Sequence, residues 1–517
     1  MSSKKVSFLG ILLAACPAAF SQVPIYTGQY NVSRTSANLS ETILTPSNVS
    51  STTFGLLFSR SVDAQIWAQP LYVPSITING KTQNVVYVAT MNNSVYAFDA
   101  DNPAASAPLW SVNLGPAFPF SLAQLFPMLG ILSTPVIDPS TGTMYVVAAT
   151  YTNSVLNYML HALDVTSGAE KFHGPVKIQA SISGTAPDAV KGVVTFNPVV
   201  ELQRPALLLA SGAVFIGFGS VQEGPGTPTY HGWLLGYNAA TLALSFAFNT
   251  SPNGNGGGIW MSGIGPSADS NGIYFAIGNG DVGNGNSGDS VIRTGATDGY
   301  FTPSDFYVLN YYDWDLGAGA PVLIPGTNLL AIGGKTGALY LLNRTNPGQY
   351  QAGDAGAVQA FQESPVCSAE AYDACYEIHH LTLWPRAQGT SYLYLWAWQD
   401  SLKAYAFSKG LLNTTPASLN AMPMGYPGGI LALSANGSTN GIVWAVTSPP
   451  SYTGAGAYPA GILHAFDATN VATELWNSTM NSSDALGSFT KFAVPVVTNG
   501  KVYVATTANA LRVYGLH

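Results

Sequence analysis

The chain has 517 residues, of which only 18 are Lys or Arg and 26 are Asp or Glu. Its net charge is −8 and it has no basic run beyond Lys4-Lys5, which excludes a typical nucleic-acid-binding protein, because phosphate binding needs clustered basic residues. A hydrophobic content of 47% excludes a disordered chain. The 54 glycines and 33 prolines, with so few charges, favour short strands joined by turns over charged, solvent-facing helices.

The N-terminus has the layout of a secretory signal peptide. Two lysines precede an apolar stretch at 6–15, and small residues follow up to Ser21. We therefore expect residues 1–21 to be a signal peptide, and residues 22–517 to be one domain that is secreted or lies in the secretory lumen. A Leu-Ala-Ala-Cys sequence also resembles a bacterial lipoprotein box, which leaves a lipid anchor through Cys16 as the alternative. No later stretch is apolar for the roughly 18 residues of a membrane span.

A pattern of four short strands recurs along the chain. The first copy reads QPLYV (69–73), NVVYVAT (84–90), SVYAFDA (94–100) and LWSVN (109–113). Further copies begin near residues 134, 197, 265, 320, 383, 429 and 494. Eight such copies predict an all-β fold, an eight-bladed β-propeller.

The last copy lacks a fourth strand. It ends with KVYVATT (501–507) and ALRVYGLH (510–517), whereas a spare strand, FGLLFSRSV (54–62), lies upstream of the first copy. We expect this N-terminal strand, at about residues 54–62, to complete the last blade. Such a closed ring would remove the open sheet edges that invite aggregation.

The lengths of the loops indicate which end of the propeller is functional. In each blade, the loop between the second and third strands and the crossover to the next blade open on the same face. The long segments fall in this group, at 113–133, 149–158, 220–232, 250–263, 279–289, 345–383, 409–428 and 447–461. Long loops in compact folds are usually functional, so they predict a deep, loop-walled pocket at one end of the central channel.

Two cysteines and ten sequons bear on the secretory interpretation. Cys367 and Cys375 are an even pair in an oxidising route, so we expect a disulfide, with two buried thiols as the alternative. Two cysteines give too few ligands for a metal site. The Asn-x-Ser/Thr sequons predict a surface-glycosylated protein; they are at Asn31, Asn38, Asn48, Asn92, Asn249, Asn343, Asn413, Asn436, Asn477 and Asn481.

Several motifs carry a family resemblance: SRTSANLSETILTPSNV (33–49), LDVTSG (163–168), YHGW (230–233), DWDLGAG (313–319) and GGILALSANGS (428–438). With them the chain, over roughly residues 25–517, resembles the pyrroloquinoline-quinone (PQQ)-like β-propeller proteins. That superfamily includes the quinoprotein alcohol dehydrogenases and the outer-membrane assembly propeller. The chain is also similar to fungal propellers that act as hetero-Diels–Alderases in tropolone-sesquiterpenoid pathways.

The resemblance to quinoproteins implies a cofactor site that this sequence does not reproduce. Those dehydrogenases use adjacent cysteines over the quinone, a calcium ion held by carboxylate and amide oxygens, and a catalytic Asp. This chain has no adjacent Cys pair, and we identify no acidic trio. Asp281 and Asp289 flank a Gly/Asn-rich loop (278–290) but lack EF-hand spacing. We therefore expect neither metal nor cofactor, with PQQ and calcium only under the alternative function.

Histidines and lysines at the predicted mouth are the candidate catalytic residues. His379 and His380 follow the cysteine loop and could act as acid and base, since histidine titrates near neutrality; a structural role is the alternative. Lys491 and Lys335 are rare cations at mouth positions and could polarise a carbonyl or phenolate oxygen. An exposed, salt-bridging lysine is the alternative for each.

Aromatic and polar residues of the same loops are the candidate substrate-binding residues. Aromatic rings at a channel mouth suit flat or polyene ligands. Tryptophans that only pack blades together are the alternative, chiefly Trp110 and Trp476. With Lys335, the candidates are Trp67, Gln69, His231, Trp260 and Trp398.

The resemblance implies an enzyme of fungal secondary metabolism that binds a hydrophobic aromatic or terpenoid molecule. We expect a cofactor-free pericyclase, which would catalyse hetero-Diels–Alder cycloaddition of a tropolone quinone methide with a sesquiterpene alkene. Proximity and one hydrogen bond to the heterodiene oxygen would supply most of the catalysis. The alternatives are a PQQ- and calcium-dependent quinoprotein dehydrogenase and a non-catalytic binding or scaffold propeller.

Overall fold

The computed structural model describes residues 22–119, 127–223, 226–295, 297–365, 367 and 376–517. Within these ranges the chain forms eight sheets of four or five strands and two two-stranded hairpins. Each large sheet is built mainly from strands that follow one another in the chain, and the first strands of several neighbouring sheets contact one another. This arrangement is an eight-bladed β-propeller, as the repeat predicts.

The first four blades follow the repeat closely. Blade 1 contains Leu71–Ile78, Lys81–Ala89, Ser94–Asp99 and Trp110–Asn113. Blade 2 contains Val136–Asp138, Thr143–Thr152, Val155–Asp164 and Val176–Lys177. Blade 3 contains Glu201–Gln203, Leu208–Ala210, Ala213–Ser220, Trp233–Asn238 and Leu244–Asn249. Blade 4 contains Ser267–Asp269, Gly272–Ala276, Val291–Thr294, Gly299–Thr302 and Gln349–Tyr350.

The last four blades complete the ring. Blade 5 contains Val322–Leu323, Leu329–Gly333, Ala338–Asn343 and Gln359–Gln362. Blade 6 contains Thr382–Trp384, Ser391–Trp396, Leu402–Ser408, Leu411–Leu412 and Ser418–Asn420. Blade 7 contains Ile430–Asn436, Thr439–Thr447, Ile462–Asp467, Glu474–Asn477 and the short strand Ala37–Asn38. Blade 8 contains Val496–Thr498, Lys501–Ala505, Ala510–Leu516 and Phe54–Ser61.

The remaining elements lie in the loops. The hairpins pair Ser181–Ser183 with Val193–Thr195 and Val282–Gly283 with Asn286–Ser287. One α-helix spans Phe306–Tyr312, and short 3₁₀ turns span Met261–Gly263, Leu316–Ala318, Ala352–Asp354 and Ser482–Asp484. Within the described ranges, the structure has no helix long and apolar enough to cross a bilayer.

The N-terminal strand Phe54–Ser61 pairs antiparallel with the C-terminal strand Ala510–Leu516 and takes the outer position of blade 8. Phe54 is fully buried there and contacts Trp476 edge-on, with ring centroids 4.9 Å apart. Trp476 therefore packs between blades 7 and 8, which agrees with the blade-packing role given as the alternative for this residue. Trp110 has a similar role, since its indole N–H donates to the Val165 carbonyl of the next blade, at 3.1 Å.

The prediction of a long loop at 149–158 is wrong. The structure continues blade 2 as two ten-residue strands, Thr143–Thr152 and Val155–Asp164, which are joined by only Asn153 and Ser154. Both turn residues have positive φ, 51° and 62°, as a tight hairpin turn requires. The polar side chains of this segment therefore belong to a protruding hairpin.

Residues 25–41, the central segment, fill the channel of the propeller. The innermost strand of each blade would otherwise present unpaired backbone groups to the channel, which is unfavourable for buried amides. Carbonyl oxygens of the central segment accept hydrogen bonds from these strands, at Tyr72, Ile137, Ala268, Leu323, Leu383 and Leu433.

Two side chains of the central segment reach the remaining blades. The guanidinium of Arg34 donates to the Leu207 carbonyl of blade 3, and the Tyr30 hydroxyl donates to the Pro495 carbonyl of blade 8. The central segment therefore occupies the channel itself. A pocket can lie only above it, among the loops.

Candidate functional site

A cavity of about 260 Å³ lies among the loops at one end of the propeller. Apart from Leu202, which lies in the strand Glu201–Gln203, its lining residues come from blade crossovers or from loops between second and third strands, and several of the predicted long segments contribute to it. The lining residues are Trp67, Leu202, Arg204, Glu223, Trp260, Ser262, Asp313, Asp315, Ala318, Lys335, Glu377, Tyr426, Tyr458, Lys491 and Phe492.

Three carboxylates converge at one end of this cavity. Glu223, Asp313 and Asp315 each offer an oxygen atom, and these three oxygens lie within 4.8 Å of one another. Glu223 lies in the loop after the second strand of blade 3. Asp313 ends the helix Phe306–Tyr312 in a left-handed conformation, with φ 60°, and the chain then turns to place Asp315 two residues later. We call these three residues the acidic trio.

Nitrogen donors hold the two aspartates of the acidic trio in place. The Lys335 ammonium lies 3.1 Å from Asp313 Oδ2 and 2.9 Å from Asp315 Oδ2. The backbone N–H of Asn279 donates to Asp315 Oδ1 at 2.7 Å, and its side-chain amide donates to Asp313 Oδ1 at 2.6 Å. Both carboxylates are thus fixed before any ligand binds.

Glu223 is held by three donors on a single oxygen. Its Oε1 accepts from the Ser220 hydroxyl at 3.0 Å, the Tyr230 hydroxyl at 2.8 Å and the Trp260 indole N–H at 2.8 Å. Burial raises the pKa of Glu223, and the nearby Asp315 carboxylate raises it further. Oε1 is therefore saturated, which leaves Oε2 to reach a ligand.

Other oxygen atoms beside the acidic trio lack partners. The side-chain oxygen of Asn279 is buried and has no hydrogen-bond partner in the described part of the chain. The same is true of Oδ2 of Asp289, a fully buried residue whose pKa is raised well above its ordinary value by burial and then by Asp315. Carboxylate and amide oxygens are the ligands that hard cations prefer, so this donor set fits calcium or a lanthanide.

The other end of the cavity is basic and aromatic. The Arg204 guanidinium carbon lies 5.3 Å from the Trp67 ring centroid and 5.0 Å from that of Phe492. The Lys491 ammonium donates to the Tyr426 hydroxyl at 3.0 Å and also lies 4.4 Å from the Tyr426 ring centroid. We call Arg204, Lys491 and these aromatic rings the basic end of the cavity.

The structure brings four of the predicted site residues together. Trp67, Trp260, Lys335 and Lys491 all line the cavity. Trp398 is not among the lining residues, but its ring packs edge-on against the lining residue Tyr426, with ring centroids 5.3 Å apart. Both lysines are half-buried, although Lys335 does form ion pairs, as its alternative expected.

Two predicted substrate-binding residues lie elsewhere. The side-chain oxygen of Gln69 accepts a hydrogen bond from the backbone N–H of Gln29, at 2.9 Å, and thereby anchors the central segment. His231 is buried, with its ring nitrogens 2.8 Å from the Ser251 hydroxyl and 3.1 Å from the Asp188 carboxylate. Both contact protein groups that account for their burial.

The predicted catalytic histidines are buried below the cavity. His380 Nε2 lies 3.2 Å from the Ser36 hydroxyl of the central segment. His379 packs against Phe492, with ring centroids 4.9 Å apart. Neither is among the lining residues. The contact of His380 matches the structural alternative, whereas neither ring nitrogen of His379 has a hydrogen-bond partner in the described part of the chain.

Acidification should destabilise the protein through these histidines. Burial lowers the pKa of both, that of His380 to about 4, so both are neutral in the fold and protonate more readily when unfolded. Their contribution is complete above the unfolded pKa of about 6.5 and is lost as the pH falls towards 4. His380 alone should account for about 2 kcal/mol between pH 7 and pH 5. Denaturant titrations at both pH values measure this loss.

Substitution of His380 distinguishes its contribution to the pH dependence from that of the other groups that titrate in acid. His380→Asn should flatten the pH dependence of the unfolding free energy, because asparagine does not titrate. His173→Asn, at an exposed histidine, should leave it unchanged. Equal pH dependence in wild type and His380→Asn would contradict the assignment.

The disulfide and signal-peptide predictions involve residues outside the described ranges, namely Cys375 and residues 1–21. Both remain predictions. Cys367 borders the site, since its sulfur lies 3.8 Å from the Lys335 carbonyl oxygen.

Two of the ten predicted glycosylation sites need correction. Asn38 and Asn249 are only 2% and 3% exposed, so the fold leaves no room there for a glycan. Asn38 lies in the central segment and donates to the Val497 carbonyl. Asn413, Asn436 and Asn481 are exposed and remain compatible with glycosylation.

The acidic trio and Arg204 were missed in the sequence, and the expectation of no acidic trio is wrong. Asp313 and Asp315 stand in the DWDLGAG motif, which we used only as a family marker. The two aspartates stand two residues apart in that motif, and this spacing of carboxylates was a usable local signal. Only the closed ring shows that Glu223 lies beside them.

Comparison with known proteins supports the fold. No protein-family profile matches the chain, and no curated protein matches it. Among solved structures, it is similar to a quinohemoprotein alcohol dehydrogenase from Pseudomonas putida, with 14% identity and a TM-score of 0.60 over 96% of this chain and 80% of that one. The enzyme of the same name from Comamonas testosteroni gives 14% identity and a TM-score of 0.56, over 96% and 81%.

The chain thus shares its eight-bladed fold with quinohemoprotein alcohol dehydrogenases, at low identity. The expectation of a cofactor-free protein is wrong on this comparison, because both neighbours are named for a quinone and a haem. The fungal hetero-Diels–Alderase subgroup is not confirmed.

Proposed function

We propose that the protein is a cation-dependent dehydrogenase of the quinoprotein type, which oxidises the alcohol group of a small organic molecule. The observation that carries this proposal is the convergence of Glu223, Asp313 and Asp315 with Lys335 inside an aromatic-walled cavity. The shared fold with quinohemoprotein alcohol dehydrogenases supports it as an analogy.

The acidic trio and Asn279 would hold the cation. Asp315 and Glu223 are braced by protein donors, which fixes the position of their oxygens before the cation binds. A planar quinone in this cavity would supply the two-electron acceptor for the oxidation.

The protein's own groups bind and orient the alcohol. Asp313 has a more exposed side chain than Asp315, 26% against 6%, and is the better placed to accept the hydroxyl proton. The ammonium of Lys335 fixes the direction of that carboxylate. Trp67, Tyr458 and Phe492 surround the body of the substrate with apolar surface.

The hetero-Diels–Alder activity expected from the sequence gains no support from this site. That chemistry needs apolar walls and one hydrogen-bond donor. The cavity instead concentrates carboxylates at one end, which suits cation binding and proton transfer.

Reconstitution tests the proposed function. The purified full chain, loaded with PQQ and either calcium or lanthanum, should reduce an electron-accepting dye when supplied with alcohols. Turnover should require both additions. It should fall at least about 100-fold in Asp313→Asn, because this variant lacks the carboxylate that accepts the hydroxyl proton of the alcohol. Absence of turnover in protein shown by calorimetry to bind both would contradict the proposal, and would favour a binding propeller.

A further inference from the structure

Arg204 is a buried cation that forms no ion pair within 4.0 Å with any residue that the structure describes. It follows the first strand of blade 3, is only 7% exposed, and lines the cavity. Its guanidinium lies over Trp67 and Phe492, but among the described residues it has neither a hydrogen-bond acceptor nor an ion pair within 4.0 Å. An arginine carries five N–H donors, and because Arg204 lines the cavity, its donors can serve a molecule bound there.

Such an arrangement is costly without a ligand. A buried charge is tolerated when it is paired or hydrogen-bonded, and burial already lowers the pKa of Arg204. Glu377 also lines the cavity and attracts Arg204, but only from beyond ion-pair distance. The contrast with Arg34 is informative, because that fully buried arginine donates four hydrogen bonds to protein oxygens.

The surroundings of Arg204 define what would pair with it. The guanidinium fork matches a planar carboxylate, which can accept two parallel hydrogen bonds. Lys491 adds a second positive charge at the same end of the cavity. The neighbouring rings of Trp67 and Tyr458 meet edge-on, with centroids 5.3 Å apart, and offer apolar surface for a flat body.

We propose that Arg204, assisted by Lys491, binds a carboxylate of the substrate, so that the substrate is a hydroxy-carboxylate with a flat apolar body. Its carboxylate would lie at the basic end and its hydroxyl at the acidic trio. This inference rests on the proposed function for the role of the hydroxyl. The recognition of the carboxylate stands on Arg204 itself.

Binding measurements on the full chain test the inference without turnover. The probes are 4-(hydroxymethyl)benzoate and its neutral analogue 4-(hydroxymethyl)benzamide, titrated by calorimetry in the absence of quinone and added cation. We expect the benzoate to bind about 10- to 100-fold more tightly than the benzamide. Arg204→Met should abolish this preference and leave the benzamide affinity nearly unchanged, while Arg204→Lys should retain part of it.

Arg386→Met is the matched control. Arg386 also lies over a tryptophan, 4.7 Å from the Trp384 ring centroid, but it is not among the cavity-lining residues. This variant should keep the full preference for the benzoate, and thermal melting should show that all variants are folded.

Two results would overturn the inference. One is equal binding of benzoate and benzamide to the wild type, or a preference that survives Arg204→Met. The other is a PQQ titration in which Arg204→Met weakens quinone binding but leaves benzoate binding intact, which would assign Arg204 to the cofactor. A failure of dye reduction alone would contradict the proposed function and leave the benzoate preference standing.

Discussion

Asp315→Asn should weaken cation binding by about 10- to 100-fold, because the site loses one of its charged oxygen ligands. The substitution keeps the shape of the side chain and one oxygen to accept from the Asn279 amide. It removes a negative charge from a group whose side chain is only 6% exposed and whose Oδ2 lies 2.9 Å from Lys335. Calorimetric titration of calcium or lanthanum into the full chain measures the change.

The control for this variant is Asp281→Asn. Asp281 lies in the neighbouring Gly/Asn-rich loop, is exposed and is not a member of the acidic trio. Its replacement should leave the affinity within about twofold, since an exposed charge outside the trio is screened by water and salt. Equal affinities for wild type and Asp315→Asn would show that the trio does not hold the cation.

Arg34→Met should lower the free energy of unfolding by about 3–5 kcal/mol, because it leaves buried oxygen atoms at the centre of the ring without hydrogen-bond donors. The Arg34 guanidinium donates to the Gly28, Leu207 and Pro266 carbonyls and to the Thr27 hydroxyl, at 2.7–3.2 Å. Burial lowers the pKa of Arg34 to about 9, so the group still carries its charge at neutral pH. Chemical denaturation followed by tryptophan fluorescence measures the loss.

Lys81→Met serves as the comparison for Arg34→Met. The Lys81 side chain is 66% exposed and its ion pair with Asp99 is 3.4 Å long, so we expect a change below about 1 kcal/mol. Arg34→Lys should fall between the two, since lysine keeps the charge but not the fork of donors. A loss below 1 kcal/mol in Arg34→Met would contradict the role assigned to the central segment.

The sequence was most informative where the physical signal is local and repeated. Short apolar strands such as NVVYVAT (84–90) recur along the chain, and the repeat alone predicts eight sheets. Loop lengths correctly indicated the end that holds the cavity, and the rarity of charge pointed to Lys335 and Lys491. Each of these inferences depends on residues that are close together in the chain.

The parts that were missed depend on contacts between distant residues. Glu223 and Asp313 are brought together by blades 3 and 4, and no local spacing encodes their approach. The central segment has no periodic pattern, because its carbonyls pair in turn with strands of different blades. His380 was interpreted as catalytic because its buried partner, Ser36, lies 344 residues away in the sequence.

Terbium luminescence tests the cation site at the centre of this account most directly. The Trp260 indole N–H donates to Glu223 Oε1 at 2.8 Å, so a terbium ion on the acidic trio would be close enough for sensitised emission on tryptophan excitation. We predict a saturable signal that calcium or lanthanum displaces, that Asp315→Asn shifts to about 10- to 100-fold higher terbium concentration, and that Trp260→Phe dims while calorimetry still detects binding. No saturable signal and no calorimetric binding, or a signal unchanged in Asp315→Asn, would contradict the account.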